Sequence, residues 1–352
     1  MRECGRESAQ AVVARRAYFR HVRATKRAHG YRQQEDLIRH LYEDPKQFWK
    51  MYQARSKGGD GFSAAEWTEW FSNLLSANTA CDLVGGSVDS HCANFADLFP
   101  MPSAEALQAA ECLNRDFTVQ EVNEAMAGLA NHKAAGVDGV HAEFLQQAYE
   151  EVPDEQGKNV RQFVMAPAIA AVCNAVLRGS YPAQWQVSAL APVPKPKGRP
   201  DVKNDYRGVA VSPVLGKLYS ILWCARVDAW AEQQGLRAAG QAGFRSGRGT
   251  PDNCFVLRHL IDVARIKKKP LYCAFIDFSK AYDRVSRPLL MRVLRGCGMH
   301  GRALHAITSM LEVTRLQVRT AGRQPFDSHV GVKQGCPASP VFFGILIERL
   351  ES

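Results

Sequence analysis

The sequence has 352 residues, with 45 Lys plus Arg against 35 Asp plus Glu and a formal net charge of +10, and it is long enough to bury more than one sizeable core. Hydrophobic residues make up 46% and charged residues 23%, a globular balance that excludes wholesale disorder. No run approaches the roughly 18 uncharged apolar residues of a membrane span, and no apolar stretch follows Met1-Arg-Glu-Cys-Gly-Arg6, so neither a membrane nor a secreted protein is expected.

The ten cysteines are scattered and include no Cys-x-x-Cys pair, which fits reduced thiols of a cytoplasmic or nuclear protein better than a zinc site or a disulfide framework. Charge is distributed unevenly. Residues 176–352 hold 27 Lys/Arg against 12 Asp/Glu, and the first 32 residues hold nine Arg/Lys against Glu3 and Glu7. A folded half with that excess of positive charge suits a polyanionic partner, because neutralised phosphates release counterions. A merely soluble basic surface has the same composition.

Residues 7–29 lack proline and internal glycine and read as a basic helix. Asp44-Pro45 opens a second helix carrying Phe48, Trp49 and Tyr52, and these aromatics with Phe62, Trp67, Trp70 and Phe71 are expected to form a small helical core. Ser63-Ala-Ala-Glu66 is a capping-box pattern starting a helix through Leu75, and Thr118-Val-Gln-Glu121 is another, starting a helix to about Ala130. Residues 79–103 show no period and read as a linker. Ala191–Pro200 must be extended, since its prolines exclude helix and central strand. Helices are predicted over Val214–Gln234, Pro251–Ile266, Pro288–Cys297, Arg302–Leu311 and Pro337–Leu350. Leu271–Ile276 is a short apolar run read as a buried strand, and Thr314–Thr320 with Phe326–Val332 make a plausible hairpin.

Two segments carry the chemistry. In Ala274-Phe-Ile-Asp277-Phe-Ser-Lys-Ala-Tyr-Asp283 an apolar strand runs into an aspartate, which places a carboxylate where a cation could sit, or simply caps the next turn. In Gly331-Val-Lys-Gln334-Gly-Cys-Pro-Ala-Ser-Pro340 a strand ends in Gln-Gly before a proline-started helix, leaving backbone donors available to a ligand.

In this order the two segments resemble the reverse transcriptase family, of the type encoded by non-LTR (LINE-like) retrotransposons. Further stretches agree: Lys133-Ala-Ala-Gly-Val-Asp-Gly139, Tyr181-Pro-Ala-Gln-Trp185, Pro194-Lys195, Asn204-Asp-Tyr-Arg207 and Gln241-Ala-Gly-Phe-Arg245-Ser-Gly-Arg248-Gly-Thr250. The resemblance implies an α+β right-hand polymerase arrangement, with fingers over 176–270 and a partial palm over 271–352. It implies a helical N-terminal region with a basic arm (1–78), a linker (79–103), a helical lead-in (104–175) and the reverse transcriptase domain (176–352). The implied activity is RNA-directed DNA polymerisation on an RNA template and a DNA primer with deoxynucleoside triphosphates.

By the same resemblance Asp277, with the Phe278 backbone carbonyl, would bind Mg²⁺, two ions being expected in the complete site. Lys195 and Arg207 would clamp the triphosphate, Tyr282 would be the gate against a ribose 2′-hydroxyl, and Gln334 and Gly335 would pack on the incoming nucleotide. Lys133, Arg245 and Arg248 would touch nucleic acid, or in the arginines' case stabilise the fingers. Lys280 and Asp283 fit the motif, but a local surface ion pair explains them equally well. The family pattern continues with an aromatic-Ala-Asp-Asp hairpin, whereas this chain stops at Ser352 and contains no Asp-Asp pair. The expectation is therefore a truncated domain without activity of its own. The competing expectation is a reverse-transcriptase-like remnant that holds RNA without chemistry.

Overall fold

In the computed structural model the described residues are 62–76, 101–153, 159–196, 198–238, 240–312, 314–319 and 324–351. Apart from Phe62 they belong to the second of two compact units, Met1–Phe62 and Ser63–Ser352. The basic helix expected at 7–29, the helix at Asp44-Pro45 with its aromatics, and nearly all of the 79–103 linker lie outside the described residues.

Helix α1 (Ala64–Leu74) begins with the expected reciprocal capping box between Ser63 and Glu66. Its Trp67 and Phe71 are buried, and Trp67 meets Tyr206 edge-on with ring centroids 5.0 Å apart. Phe71 lies so close to the sheet that a Cβ on Gly208 would sit 2.6 Å from its ring, so only glycine admits the helix there. This helix belongs to the compact unit that starts at Ser63.

Next come α2 (Ala104–Ala110), a 3₁₀ turn (Glu111–Asn114), α3 (Val119–Ala127) and α4 (Ala142–Gln146). A hairpin of β1 (Tyr149–Pro153) and β2 (Asn159–Phe163) interrupts the lead-in expected to be helical. Then follow α5 (Ala166–Arg178), α6 (Ala183–Gln186), β3 (Val187–Pro194), β4 (Tyr206–Val211), α7 (Val214–Gln233) and α8 (Thr250–Ile266). The described chain closes with α9 (Arg287–Gly296), α10 (Gly301–Glu312), β5 (Thr314–Val318), β6 (Phe326–Ser328) and α11 (Ser339–Glu351). The mixture of helices with a small four-stranded sheet, in the order β4-β3-β5-β6, is an α+β fold.

Helix α7 buries Leu218, Tyr219, Leu222, Trp223, Val227 and Trp230 on a broad face and leaves Ala225 and Ala229 exposed on the other. Side chains from α3, α5, α9, α10 and α11 complete that core.

Two expectations are corrected. Residues Val187–Pro194 form a strand, and β3 lies between β4 and β5, where proline was excluded. The parallel pairing with β5 covers only Val187–Leu190. Lys195 N–H donates to Asp205 O on the β4 side, so by alternation Pro192 and Pro194 turn their nitrogens to the other side, where β5 has ended. The second correction concerns Leu271–Ile276. This run pairs with no strand among the described residues, and Tyr272, Phe275 and Ile276 are 90%, 84% and 82% exposed. An apolar run is buried only when a neighbouring strand or helix covers it, and sequence periodicity does not report the neighbour.

One polar clamp holds the core together. Buried Arg226 on α7 donates to both carboxylate oxygens of Glu121 at 2.8 and 2.9 Å, and to the carbonyls of Arg115 and Asp116 at 2.6 and 2.7 Å. Its guanidinium also stacks 3.9 Å from the Phe117 ring. Burial would raise the Glu121 carboxyl, but the Arg226 bonds and the Thr118 cap hold it at about 2. A depressed carboxylate stabilises the fold above its unfolded value of about 4.3 and loses that contribution as the pH falls towards 2. Removing Arg226 as Arg226→Met is expected to lower unfolding stability by about 3 kcal/mol at pH 7 in urea titrations. Glu121→Gln is expected to flatten the fall in stability between pH 4.5 and 2.5.

Candidate nucleotide and nucleic-acid site

Three separated segments meet at one end of the sheet. The first is the β3–β4 connection, with Lys195, Tyr206 and Arg207; the second is the turn 277–285 after the exposed run; the third is the turn 331–338 that leads into α11. Backbone bonds join the last two: Gly331 N–H donates to Val285 O at 2.8 Å, and Val332 N–H to Tyr282 O at 2.9 Å. The third segment also reaches β4, where Ala210 N–H donates to Gln334 O at 2.7 Å.

Glycine is needed at both close approaches. Gly331 has φ +81°, and a Cβ there would lie 2.9 Å from the Asp283 and Tyr282 carbonyl oxygens. Gly335 has φ +105°, and its Cβ would lie 2.6 Å from Ala210 O. Buried Arg287 on α9 fastens the start of this turn by donating to Ser328 O at 2.7 Å and Gly331 O at 2.9 Å, and further to Ser328 Oγ and Val330 O. Burial without a carboxylate bond pushes its guanidinium down to about 10.

The result is an open cleft of about 730 Å³, within the range of small-molecule sites. Lys195, Arg207, Asp277, Phe278, Tyr282, Gln334 and Gly335, all singled out from the sequence, line it together. Asp277 and Phe278 are exposed at its mouth. Arg207 is exposed and makes no side-chain hydrogen bond or ion pair among the described residues, whereas the Lys195 ammonium donates to Asn204 O at 3.0 Å. Tyr282 stacks on Phe343 at 5.0 Å and meets Phe244 edge-on at 6.5 Å. Burial raises its phenol, and the hydroxyl has no partner among the described residues.

The cleft also contains groups that the sequence reading left aside. Lys280 and Asp283 form no ion pair with each other within 4.0 Å among the described residues. Lys280 donates to Asn204 Oδ1 at 2.9 Å and sits 4.1 Å from the centre of the Trp70 ring, and burial lowers its ammonium. Burial raises the Asp283 carboxyl against the opposing pull of Gln334, Lys280 and Arg284. Lys333 lines the wall too; burial lowers its ammonium, whose closest polar contact is Ser188 Oγ at 3.5 Å. Phe244 and Lys333 lacked any signal of spacing, because only folding brings 244 and 333 to residue 282.

Lys133 is elsewhere. It lines a smaller neighbouring cleft of about 310 Å³ with Gly136 and Lys217, which touches the first through Gly335. Arg245 and Arg248 do not line the larger cleft. Arg245 donates to both Glu232 oxygens at 2.9 and 2.6 Å and to the Ala238 and Gln241 carbonyls, so its donors serve the loop before α8.

For a metal, the chain offers Asp277 and the Phe278 carbonyl. No group of three or more His, Cys, Asp or Glu among the described residues could hold an ion. Asp283, the other cleft carboxylate, is covered by Gln334. This donor set suits one Mg²⁺ that brings phosphate oxygens and water of its own, and does not suit a pair of ions.

Residues 193–352 match the family model described as reverse transcriptase (RNA-dependent DNA polymerase). The chain is 34% identical over 104 residues to a Popillia japonica protein, the retrovirus-related Pol polyprotein from type-1 retrotransposable element R2, covering 29% of this chain and 17% of that protein. It is 25% identical over 256 residues to the RNA-directed DNA polymerase from mobile element jockey of Drosophila funebris, covering 69% of this chain and 26% of the relative. The jockey polymerase of Drosophila melanogaster is 26% identical over 233 residues, 65% of this chain and 24% of the relative. The chain thus spans about a quarter or less of the length of these relatives. The α+β fold, the basic cleft and these likenesses agree: residues 193–352 are similar to reverse transcriptase domains, and RNA-directed DNA polymerases of mobile elements are among the chain's relatives.

Proposed function

We propose that the cleft is the nucleotide-binding part of an RNA-directed DNA polymerase site of non-LTR retrotransposon type, which takes a deoxynucleoside triphosphate against an RNA template and a DNA primer. One observation carries the reading: seven residues chosen from the sequence, drawn from three distant segments, line a single cleft. Arg207 and Lys195 supply the charge that a triphosphate needs. A guanidinium pairs with two phosphate oxygens, while an ammonium acts as a point charge. Tyr282, wedged between Phe343 and Phe244, forms a rigid wall where a ribose 2′-hydroxyl would collide. Gln334 and Gly335 line the same cleft, and Gly335, with no Cβ to strike Ala210 O, lets this turn lie against β4.

Asp277 and the Phe278 carbonyl would hold Mg²⁺, which when bound neutralises phosphate charge. The basic excess of residues 176–352 supplies the long-range attraction for template and primer, and Lys133 with Lys217 extends the positive surface past Gly335. No helix among the described residues is long and apolar enough to cross a membrane.

Binding of dGTP to the chain on a primed RNA template, followed by fluorescence, is expected to weaken about tenfold in Arg207→Ala, the size of one lost charge-assisted hydrogen bond. Unchanged affinity would remove the phosphate-clamp role. Tyr282→Ala is expected to narrow the preference for dGTP over GTP, and an unaltered preference would count against the gate. With one free carboxylate among the described cleft residues, no DNA synthesis is expected from this chain with Mg²⁺ and all four deoxynucleotides. Incorporation that Asp277→Asn abolishes would contradict that expectation.

A further inference from the structure

Asp283 has no part in the proposal above, yet it makes the most specific polar contact in the cleft. Gln334 Nε2 donates to Asp283 Oδ1 at 2.9 Å and to Oδ2 at 3.0 Å. An ionised carboxylate only accepts, so this contact settles which end of the carboxamide faces it: the nitrogen is held, and the oxygen is left without a protein partner among the described residues. The backbones on both sides are already joined through Val332 N–H to Tyr282 O and Gly331 N–H to Val285 O, so neither residue can drift from the other. Gln334 and Asp283 both line the cleft, half-buried, beside Tyr282.

We propose that Asp283 is a positioning residue: its carboxylate sets the orientation of the Gln334 carboxamide and so fixes the donor and acceptor pattern shown to the bound nucleotide. This rests on the nucleotide reading of the cleft. The simpler role for Asp283 is a local charge near Lys280 and Arg284. The two roles predict opposite signs. A bare negative charge in an anion-binding cleft repels a triphosphate, so removing it by Asp283→Asn would tighten binding. A positioning carboxylate does the reverse, because an asparagine amide can accept from Gln334 or donate to it and leaves the carboxamide free to turn over.

The test uses the full chain with Mg²⁺, a primed RNA template and dGTP. Asp283→Asn is expected to weaken dGTP binding about tenfold on its own, and by less than twofold when combined with Gln334→Met, since an effect transmitted through Gln334 vanishes once Gln334 is gone. In glutamine-labelled protein, the Gln334 side-chain amide resonance, assigned by its loss in Gln334→Met, is expected to move in Asp283→Asn. Tighter binding in Asp283→Asn, equal effects in both backgrounds, or an unmoved Gln334 resonance would each overturn the proposal. If the unsubstituted chain binds no dGTP, the nucleotide reading fails separately, and the resonance alone then decides whether Asp283 orients Gln334.

Discussion

The cleft depends on a lock between two turns that are about fifty residues apart in the chain and belong to no common element. Val332 and Gly331 donate to the carbonyls of Tyr282 and Val285, and Gln334 closes the join with its amide on Asp283. The turns can come so near only because Gly331 and Gly335 have positive φ and no Cβ to strike the Asp283, Tyr282 and Ala210 carbonyls. Every cleft residue from 277–283 is placed relative to those of 333–340 by this lock. Arg287 holds its outer side by donating to three carbonyls of the 328–331 turn.

Electrostatics give the cleft its character. Lys195, Arg207, Lys280 and Lys333 line it against two carboxylates, and one of those is covered by the Gln334 amide. Burial lowers the ammonium groups of Lys280 and Lys333, and a bound anion would oppose that shift. Arg207 remains exposed at the rim, where a guanidinium keeps its hydration until a ligand arrives. A site of this kind gains from an anionic ligand what its own side chains do not supply.

The sheet is short, and the prolines show how it is bounded. β3 is a central strand only as far as Leu190, and beyond that Pro192 and Pro194 have no N–H to offer on the side that β5 has left, so the strand continues with β4 as its single neighbour. Lys195 then follows at the point where the pairing with β4 ends, which is how a proline-rich run delivers a cation to the rim. Helix α1 backs the same region: Phe71 fills the space over Gly208, and Trp70 carries Lys280 on its ring.

Local features were legible in the sequence because their physics is local. Both capping boxes, the helices at 214–233, 250–266, 287–296 and 301–312, and the pairing of β5 with β6 follow from residues within a few positions of one another. The site motifs were legible as a resemblance carried by short runs such as 277–283 and 331–340, and seven of the residues so chosen line one cleft. Only the tertiary structure decided what those residues touch. It showed Asp283 bonded to Gln334 and not to Lys280, gave Arg245 to Glu232, and set Lys133 in a neighbouring cleft. It also left Leu271–Ile276 uncovered and put β3 inside a sheet despite its prolines. Burial, partner choice and strand neighbours depend on segments far away in the chain, and the amino-acid order of a short run carries no record of them.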